Sequence, residues 1–294
     1  MSQLIGIDWG SSNLRSFLLD DNGKILEKRS FPLGITRLAH KDFKPTFNKV
    51  IAAWPVQAPV LLCGMVGSAQ GWLETAYVQC PASLTQVANA LCDISSLSGR
   101  DSWIVSGICC RQNDDFTDLI RGEETQLLGA GGKGQICLPG THSKWATIEE
   151  DKISSFSTFM TGEVFSLLSS TGLIAKTMDG DAFCGEAFVQ GLDQCSRKGG
   201  LLHQLFSARA RVIAGELNAS QCHSYLSGIL IGSELKASVM AKEVTLVGSH
   251  GLTTAYRKAL VHLDPGIQIN SISGEEACAK GLHRIWRTVT DENI

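Results

Sequence analysis

At the start of the chain, apolar and polar positions alternate and are interrupted twice by turn residues. Leu4-Ile5-Gly6-Ile7-Asp8 predicts a buried strand, Gly10–Asn13 a tight turn and Leu14–Leu19 a second strand. Asp20-Asp21-Asn22-Gly23 is a hairpin signal, and Lys24–Phe31 predicts a third strand with polar and apolar residues interleaved. The chain therefore opens on a three-strand meander. Further strands are expected at PVLLCG from Pro59 and SWIVSG from Ser102, with helix-compatible stretches at Phe47–Trp54 and Leu84–Leu91. After Arg121, the two carboxylates of GEETQLLGA followed by good helix formers predict a helix whose N-terminal dipole favours those charges.

The glycine tract Gly129–Gly134 breaks that pattern and reads as a linker or hinge. It contains a G-x-G-x-x-G, but a dinucleotide fingerprint must follow a strand and open a helix, and here the order is reversed. Beyond the tract the opening pattern recurs: a strand at Gln135–Leu138, a polar turn at Gly140–Ser143, a strand KWATI, an acidic turn EEDK and a strand ISSFSTF. An offset of 130 residues places Gly10 on Gly140, Ser11 on Thr141, Leu18 on Ile148 and Asp21 on Asp151. Removing Asn22-Gly23 then brings Lys24-Ile25 onto Lys152-Ile153. Two similar halves are implied, the alternative being a coincidence of generic hairpin chemistry. The rest is mostly helical in pattern, notably from His223 and from Glu275. Between these, VTLVGS predicts a strand that runs through Gly248-Ser249-His250-Gly251 into a helix; this presents backbone amides to a ligand or is an ordinary strand-to-helix turn.

Composition narrows the class. With 294 residues, 44% hydrophobic, the chain has room for one large domain or, as expected here, two. A net charge of -3, evenly mixed, argues against nucleic acid or an anionic membrane as the main partner. No window approaches the ~18 uninterrupted apolar residues of a membrane span, and there is no positively charged leader, so a cytoplasmic protein is expected. The ten cysteines are scattered through apolar segments without C-x-x-C pairs, which predicts buried reduced thiols; a redox pair at Cys109-Cys110 is the alternative.

The most informative chemistry is at Asp8, followed by Gly10, Ser11, Ser12, Asn13 and Arg15. A carboxylate ending a buried strand is costly unless it meets a cation or donors, and the small residues after it leave amides open to an anion. An Asp beside such a turn suits Mg²⁺ held on nucleotide phosphates; otherwise it stabilises its own turn. There is no G-x-x-x-x-G-K-[ST] P-loop.

Together with its echo at Gly140–Ser143 and the late Gly248–Gly251 turn, this arrangement resembles the actin, Hsp70 chaperone and sugar-kinase superfamily of two-domain ATPases. More closely, GIDWGSSNLRSF, GMVGSAQGW, RGEETQLLGA, PGTHSKW, MTGE, LSGILIGSE and TLVGSHGLTTAY resemble the 2-oxo-3-deoxygalactonate kinase family throughout the chain. The resemblance implies an α/β, two-domain actin-like ATPase (ribonuclease H-like) fold, with duplicated β-hairpin/helix domains around a nucleotide cleft. The domains expected are 1–130 and 131–294. It implies ATP and Mg²⁺ as cofactors, a small sugar acid as partner, and transfer of the γ-phosphate to the terminal hydroxyl. A phosphohydrolase of the same superfamily is the alternative, and a nucleotide-switched assembly or chaperone protein a more distant one.

The resemblance also orders the candidate residues. Asp8 would hold the metal, with Gly10, Ser11, Ser12 and Asn13 on one side of the phosphates and Gly140, Thr141 and His142 on the other; Gly248, Ser249 and Gly251 would face adenosine. The wider superfamily often carries an Asp in the second hairpin, but here that stretch is Leu138-Pro139-Gly140-Thr141, so no catalytic aspartate transfers. Glu123 or Glu124, in a segment resembling the G-x-E-E of exopolyphosphatases, is then the candidate base. Arg37 is the leading partner for the substrate carboxylate because its planar fork binds carboxylates bidentately. Thr36, Ser68, Trp72, Arg121 and Glu163 complete the expected sugar-acid site, with core packing the rival reading for Trp72.

Overall fold

The computed structural model describes residues 3–38, 41–112, 116–238 and 241–291. The chain divides into two compact units: Met1–Gly134 with Ala146–Phe156 and Ile272–Ile294, and Gln135–Trp145 with Ser157–Ser271.

In the first unit, β1 (Leu4–Trp9), β2 (Leu14–Leu19) and β3 (Ile25–Phe31) form an antiparallel meander with Asp8 paired to Arg15 in register. Helix α1 (Phe43–Ile51) carries Pro45 in its first turn, where a missing N–H costs no helical bond, and leads to β4 (Val60–Cys63), parallel to β1. Then come β5 (Tyr77–Gln79), β6 (Ala82–Ser83), α2 (Leu84–Asn89), β7 (Cys92–Asp93), α3 (Ser95–Ser98), β8 (Ser102–Ile104), β9 (Gly107–Gln112), β10 (Phe116–Ile120) and α4 (Glu123–Ala130). A capping box between Ser83 and Gln86 starts α2. The main sheet has the order β3-β2-β1-β4-β8-β7, and β10-β9-β5 form a small second sheet.

Strand β1 is buried on both faces. Ile5, Ile7 and Trp9 pack with Phe43, Phe47, Val50 and Ile51 of α1, each fully buried side chain being worth roughly 1.5–3 kcal/mol. On the opposite face a Cβ at Gly6 would lie 2.7 Å from Leu282 of the C-terminal helix. Asp8 shares that second face by the strand's period of two.

The second hairpin is built from β11 (Gly134–Leu138), β12 (Ser143–Glu149) and β13 (Lys152–Phe159). Four helices follow, α5 (Thr161–Ser170), α6 (Gly172–Ala175), α7 (Gly185–Gln194) and α8 (Gly200–Ile213), then α9 (Cys222–Ala237), β14 (Glu243–Gly248), α10 (His250–Leu263), β15 (Gln268–Ser273) and α11 (Gly274–Asp291). Strand β14 is parallel to β11, and the order β13-β12-β11-β14-β15 repeats the order β3-β2-β1-β4-β8. The core of this unit gathers Cys137, Trp145, Phe188, Leu192, Leu246, Tyr256 and Leu260.

One expectation needs correction. Gly129 is not part of a linker: it lies within α4, pressed so closely on α11 that a Cβ would sit 1.8 Å from the Ala277 carbonyl oxygen. Within the tract, Gly131, Gly132 and Gly134 take the positive φ of a turn. All ten cysteines are unpaired. No described helix is long and apolar enough to cross a membrane.

Candidate active site

In the first unit three segments meet at Asp8, one residue before the end of β1, its side chain 17% exposed and bonded to Arg15 at 3.2 Å. Burial pushes its pKa up, Arg15 pulls it back, and the nearby Glu123 carboxylate pushes it up again. Gly64, just after β4, has φ +92°, and a Cβ there would lie 2.9 Å from the Trp9 carbonyl oxygen and 3.4 Å from Asp8 Oδ1. Gly122, with φ +109°, approaches Gly64 in turn, a Cβ on it lying 3.0 Å from the Gly64 Cα. These two glycines let the segments carrying Met65–Ser68 and Glu123-Glu124 close on the carboxylate.

The two glutamates have different surroundings. Glu123 Oε2 accepts the Arg121 N–H at 3.1 Å, and its charge is felt by Asp8. Glu124 is fully buried, accepting the Gly122 N–H at 2.6 Å and the Thr125 hydroxyl at 3.1 Å. Burial first, and Glu123 second, push its pKa up to about 7.

The turn at Gly10–Asn13 is closed by a Gly10 N–H to Asn13 carbonyl bond and strapped by the segment after β3. Gly34, Ile35 and Thr36 donate their N–H groups to the carbonyls of Ser12, Gly10 and Ser11 at 3.0–3.2 Å, and the Thr36 hydroxyl adds a bond to Ser11 at 2.8 Å. A Cβ at Gly34 would fall 2.2 Å from the Ser11 carbonyl oxygen, so only glycine fits the strap. Ser11, Ser12 and Asn13 stay exposed, as does Arg37 one residue beyond the strap.

Other candidates are committed elsewhere in the same unit. Arg121 bonds both the hydroxyl and the carbonyl of Thr75, and its guanidinium lies 4.3 Å over the Tyr77 ring. The Ser68 hydroxyl donates to the Met65 carbonyl at 2.7 Å. Trp72 is half-buried, stacked on Phe43 and edge-on to Phe47 and Trp9.

In the second unit the turn at Gly140–His142 is strapped in the same manner. Glu163 donates its N–H to the Thr141 carbonyl at 2.9 Å, and a Cβ at Gly162 would lie 2.4 Å from the Gly140 carbonyl oxygen. His142 Nε2 and Glu163 Oε2 are 2.5 Å apart on the exposed side, whereas Lys144 is buried. Gly248 lies beside Pro139, and Ser249 caps the start of α10 with Gly251 open around its Cα. Sequence reasoning missed the carboxylate beneath this turn: Glu234 of α9, which bonds Trp145, Thr161 and Tyr256. Its one sequence signal is a charged residue inside the otherwise apolar LSGILIGSE run.

Over residues 8–285 the chain matches the 2-keto-3-deoxy-galactonokinase family. A 2-dehydro-3-deoxygalactonokinase of Escherichia coli is 34% identical, covering 99% of both chains. The chain belongs to this kinase family. A probable 2-dehydro-3-deoxygalactonokinase of Rhizobium meliloti is likewise 34% identical, over 96% of each chain. The solved structure of a putative 2-dehydro-3-deoxygalactonokinase from Sinorhizobium meliloti superposes with a TM-score of 0.89 at 34% identity, covering 97% of this chain and 99% of that one. Component A of (R)-2-hydroxyglutaryl-CoA dehydratase from Acidaminococcus fermentans shares the fold alone, at 13% identity, a TM-score of 0.55 and coverage of 98% and 99%. The kinase family thus has here the two-domain actin-like α/β fold, each half opening on a strapped hairpin.

Proposed function

We infer that this kinase transfers the γ-phosphate of ATP, with Mg²⁺, to the terminal 6-hydroxyl of 2-dehydro-3-deoxygalactonate, in galactonate catabolism. The observation that carries the reading is the family match over residues 8–285, which takes in Asp8, both strapped turns and the turn before α10. Phosphoryl transfer asks the protein mainly for positioning and electrostatic stabilisation, and the residues fit that demand.

Mg²⁺ keeps several waters and takes one or two carboxylates together with phosphate oxygens. Asp8, mostly buried and with Glu123 nearby, suits that donor count. When bound, the ion would neutralise phosphate charge. Gly10–Asn13 would contact one side of the phosphates, Gly140–His142 the γ-phosphate, and Gly248, Ser249 and Gly251 adenosine. Glu163 was expected at the sugar acid; its 2.5 Å pairing with His142 supports instead a role on that phosphate side, orienting the imidazole.

For the acceptor hydroxyl we favour Glu123. A general base needs geometry first and a suitable pKa second. Glu124 has a pKa near neutrality, but its carboxylate is fully buried and turned back on Gly122, whereas Glu123 is close enough to act on Asp8. Arg37, exposed beside the strapped turn, is proposed for the substrate carboxylate. The pinning of Arg121 by Thr75 and Tyr77 supports a supporting role for it in the loop that carries Ser68 and Trp72. For a small-molecule metabolic kinase of this kind we propose a cytoplasmic location.

The test is ADP release across a panel of 2-oxo-3-deoxy sugar acids, with water and polyphosphate as controls. Turnover confined to the sugar acids, and fastest with 2-dehydro-3-deoxygalactonate, is expected; acceptor-independent turnover would sink the kinase reading in favour of a hydrolase.

A further inference from the structure

Beneath the second turn lies a carboxylate that the transfer described above does not use. Glu234 is 3% exposed. Its Oε1 accepts the Trp145 indole N–H at 2.8 Å, and its Oε2 accepts the Tyr256 hydroxyl at 2.7 Å together with a short bond from the Thr161 hydroxyl. Ser143 joins the same group, its hydroxyl donating to the Tyr256 oxygen at 2.8 Å while Tyr256 donates to the carboxylate. Burial pushes the Glu234 pKa up, and these donors pull it back.

Every partner belongs to a segment proposed above to meet the nucleotide, three of the four on the phosphate side. Ser143 ends the second turn and Trp145 follows it on β12; Thr161 opens α5 two residues before Glu163; Tyr256 belongs to α10, which starts at the Gly248–Gly251 turn. An apolar side chain would fill this space without the cost of desolvating a charge. What a carboxylate adds is acceptor capacity: its two oxygens take hydrogen bonds from several directions at once, which an amide cannot match.

We propose that Glu234 is a positioning residue that presets the second phosphate turn, fixing Ser143 and Thr161 and, through them, the His142–Glu163 pair, before nucleotide arrives. The proposal rests on the kinase reading above. It concerns the part of the nucleotide that ATP has and ADP lacks, because the turn it fixes is the one assigned to the γ-phosphate.

Titration calorimetry with a non-hydrolysable ATP analogue and with ADP tests it, on the wild-type chain and on Glu234→Gln, Thr161→Val and Tyr256→Phe. Glu234→Gln is expected to weaken the ATP analogue by about 10-fold while ADP stays within about twofold, the size of one charge-assisted hydrogen bond lost at the γ-phosphate. Thr161→Val and Tyr256→Phe, which each delete one neutral donor, are expected to shift the same preference by about threefold. A folded Glu234→Gln chain with an unchanged preference, or one that weakens both nucleotides equally, overturns the proposal. Should Glu234→Gln fail to fold, the two single-donor variants decide on the same criterion. A wild-type chain that binds neither nucleotide removes the kinase reading itself, and the proposal with it; a wild-type chain that binds both leaves Glu234 alone on trial.

Discussion

The turns at Gly10–Asn13 and Gly140–His142 are built alike and equipped differently. Each follows a central strand flanked by a parallel partner, and each is strapped by the segment after its third strand. The strap glycines, Gly34 and Gly162, are 128 residues apart, the offset left once the two-residue deletion in the second hairpin is counted, and each abuts a turn carbonyl too closely for a Cβ. The side chains diverge. Asp8, near the end of the first strand, lies beside Arg15 and Glu123, whereas the matching position in the second is the buried Leu138. Past the first strap stands the exposed Arg37; at the matching place past the second stands Phe165, edge-on to His223. The second turn instead carries the His142–Glu163 pair and rests on Glu234. The backbone of the two turns is alike while their charged groups differ, a carboxylate pair beside one turn and an imidazole–carboxylate pair on the other.

The sharpest way to break this contrast is at Asp8. Asp8→Asn should lower kcat by about 10³-fold, the scale of losing a preorganised electrostatic contact, with circular dichroism unchanged. Near-normal turnover at ordinary Mg²⁺ would leave the first turn no more specialised than the second.

Next in size is a stability effect beside the first turn. Glu124 holds its proton up to about pH 7 when folded, against an ordinary value of 4.5. Between those two values the folded chain keeps a proton that the unfolded chain has released, so stability falls as pH rises through that window and levels off above it. The displacement is worth about 3 kcal/mol, so Glu124→Gln should gain roughly that much relative to wild type between pH 4.5 and pH 8 in denaturant melts. Parallel curves for the two proteins would mean that Glu124 ionises as freely as an exposed carboxylate.

Arg37→Ala sharpens the contrast between the straps. It should raise the sugar-acid KM by about 10–150-fold with kcat and the ATP KM little changed, the loss of one charge-assisted contact. A sugar-acid KM within about twofold of wild type would move the carboxylate site to Arg15 or elsewhere.

The smallest effect tests the likeness itself. Gly34→Ala and Gly162→Ala should each cost about 1–3 kcal/mol of stability by pushing a methyl group onto a backbone carbonyl. If either is tolerated without loss, as read by its denaturation midpoint, the two straps are not equivalent.

Much of this was legible along the chain. The meander, its repeat after Gly134, the helix begun by Glu123 and the strand into the Gly248–Gly251 turn all follow from local alternation and turn residues, because hairpins join neighbours in sequence. The run of motifs from Asp8 onward carried the kinase family as well. The strands β5, β9 and β10 left no such trace, because YVQ, GICCRQ and FTDLI show no regular alternation of apolar and polar positions.

What tertiary structure alone decided are contacts between residues far apart in sequence. Gly64 reaches Asp8 from 56 residues away and Gly122 reaches Gly64 from 58, Arg121 is taken up by Thr75 and Tyr77, and Gly129 is drawn into a helix contact with Ala277. Glu234 gathers donors from β12, α5 and α10. A sequence shows which residues can donate, accept or leave space; which of them meet depends on how helices and sheets pack, and packing is set by the summed burial of many side chains rather than by any local run of letters.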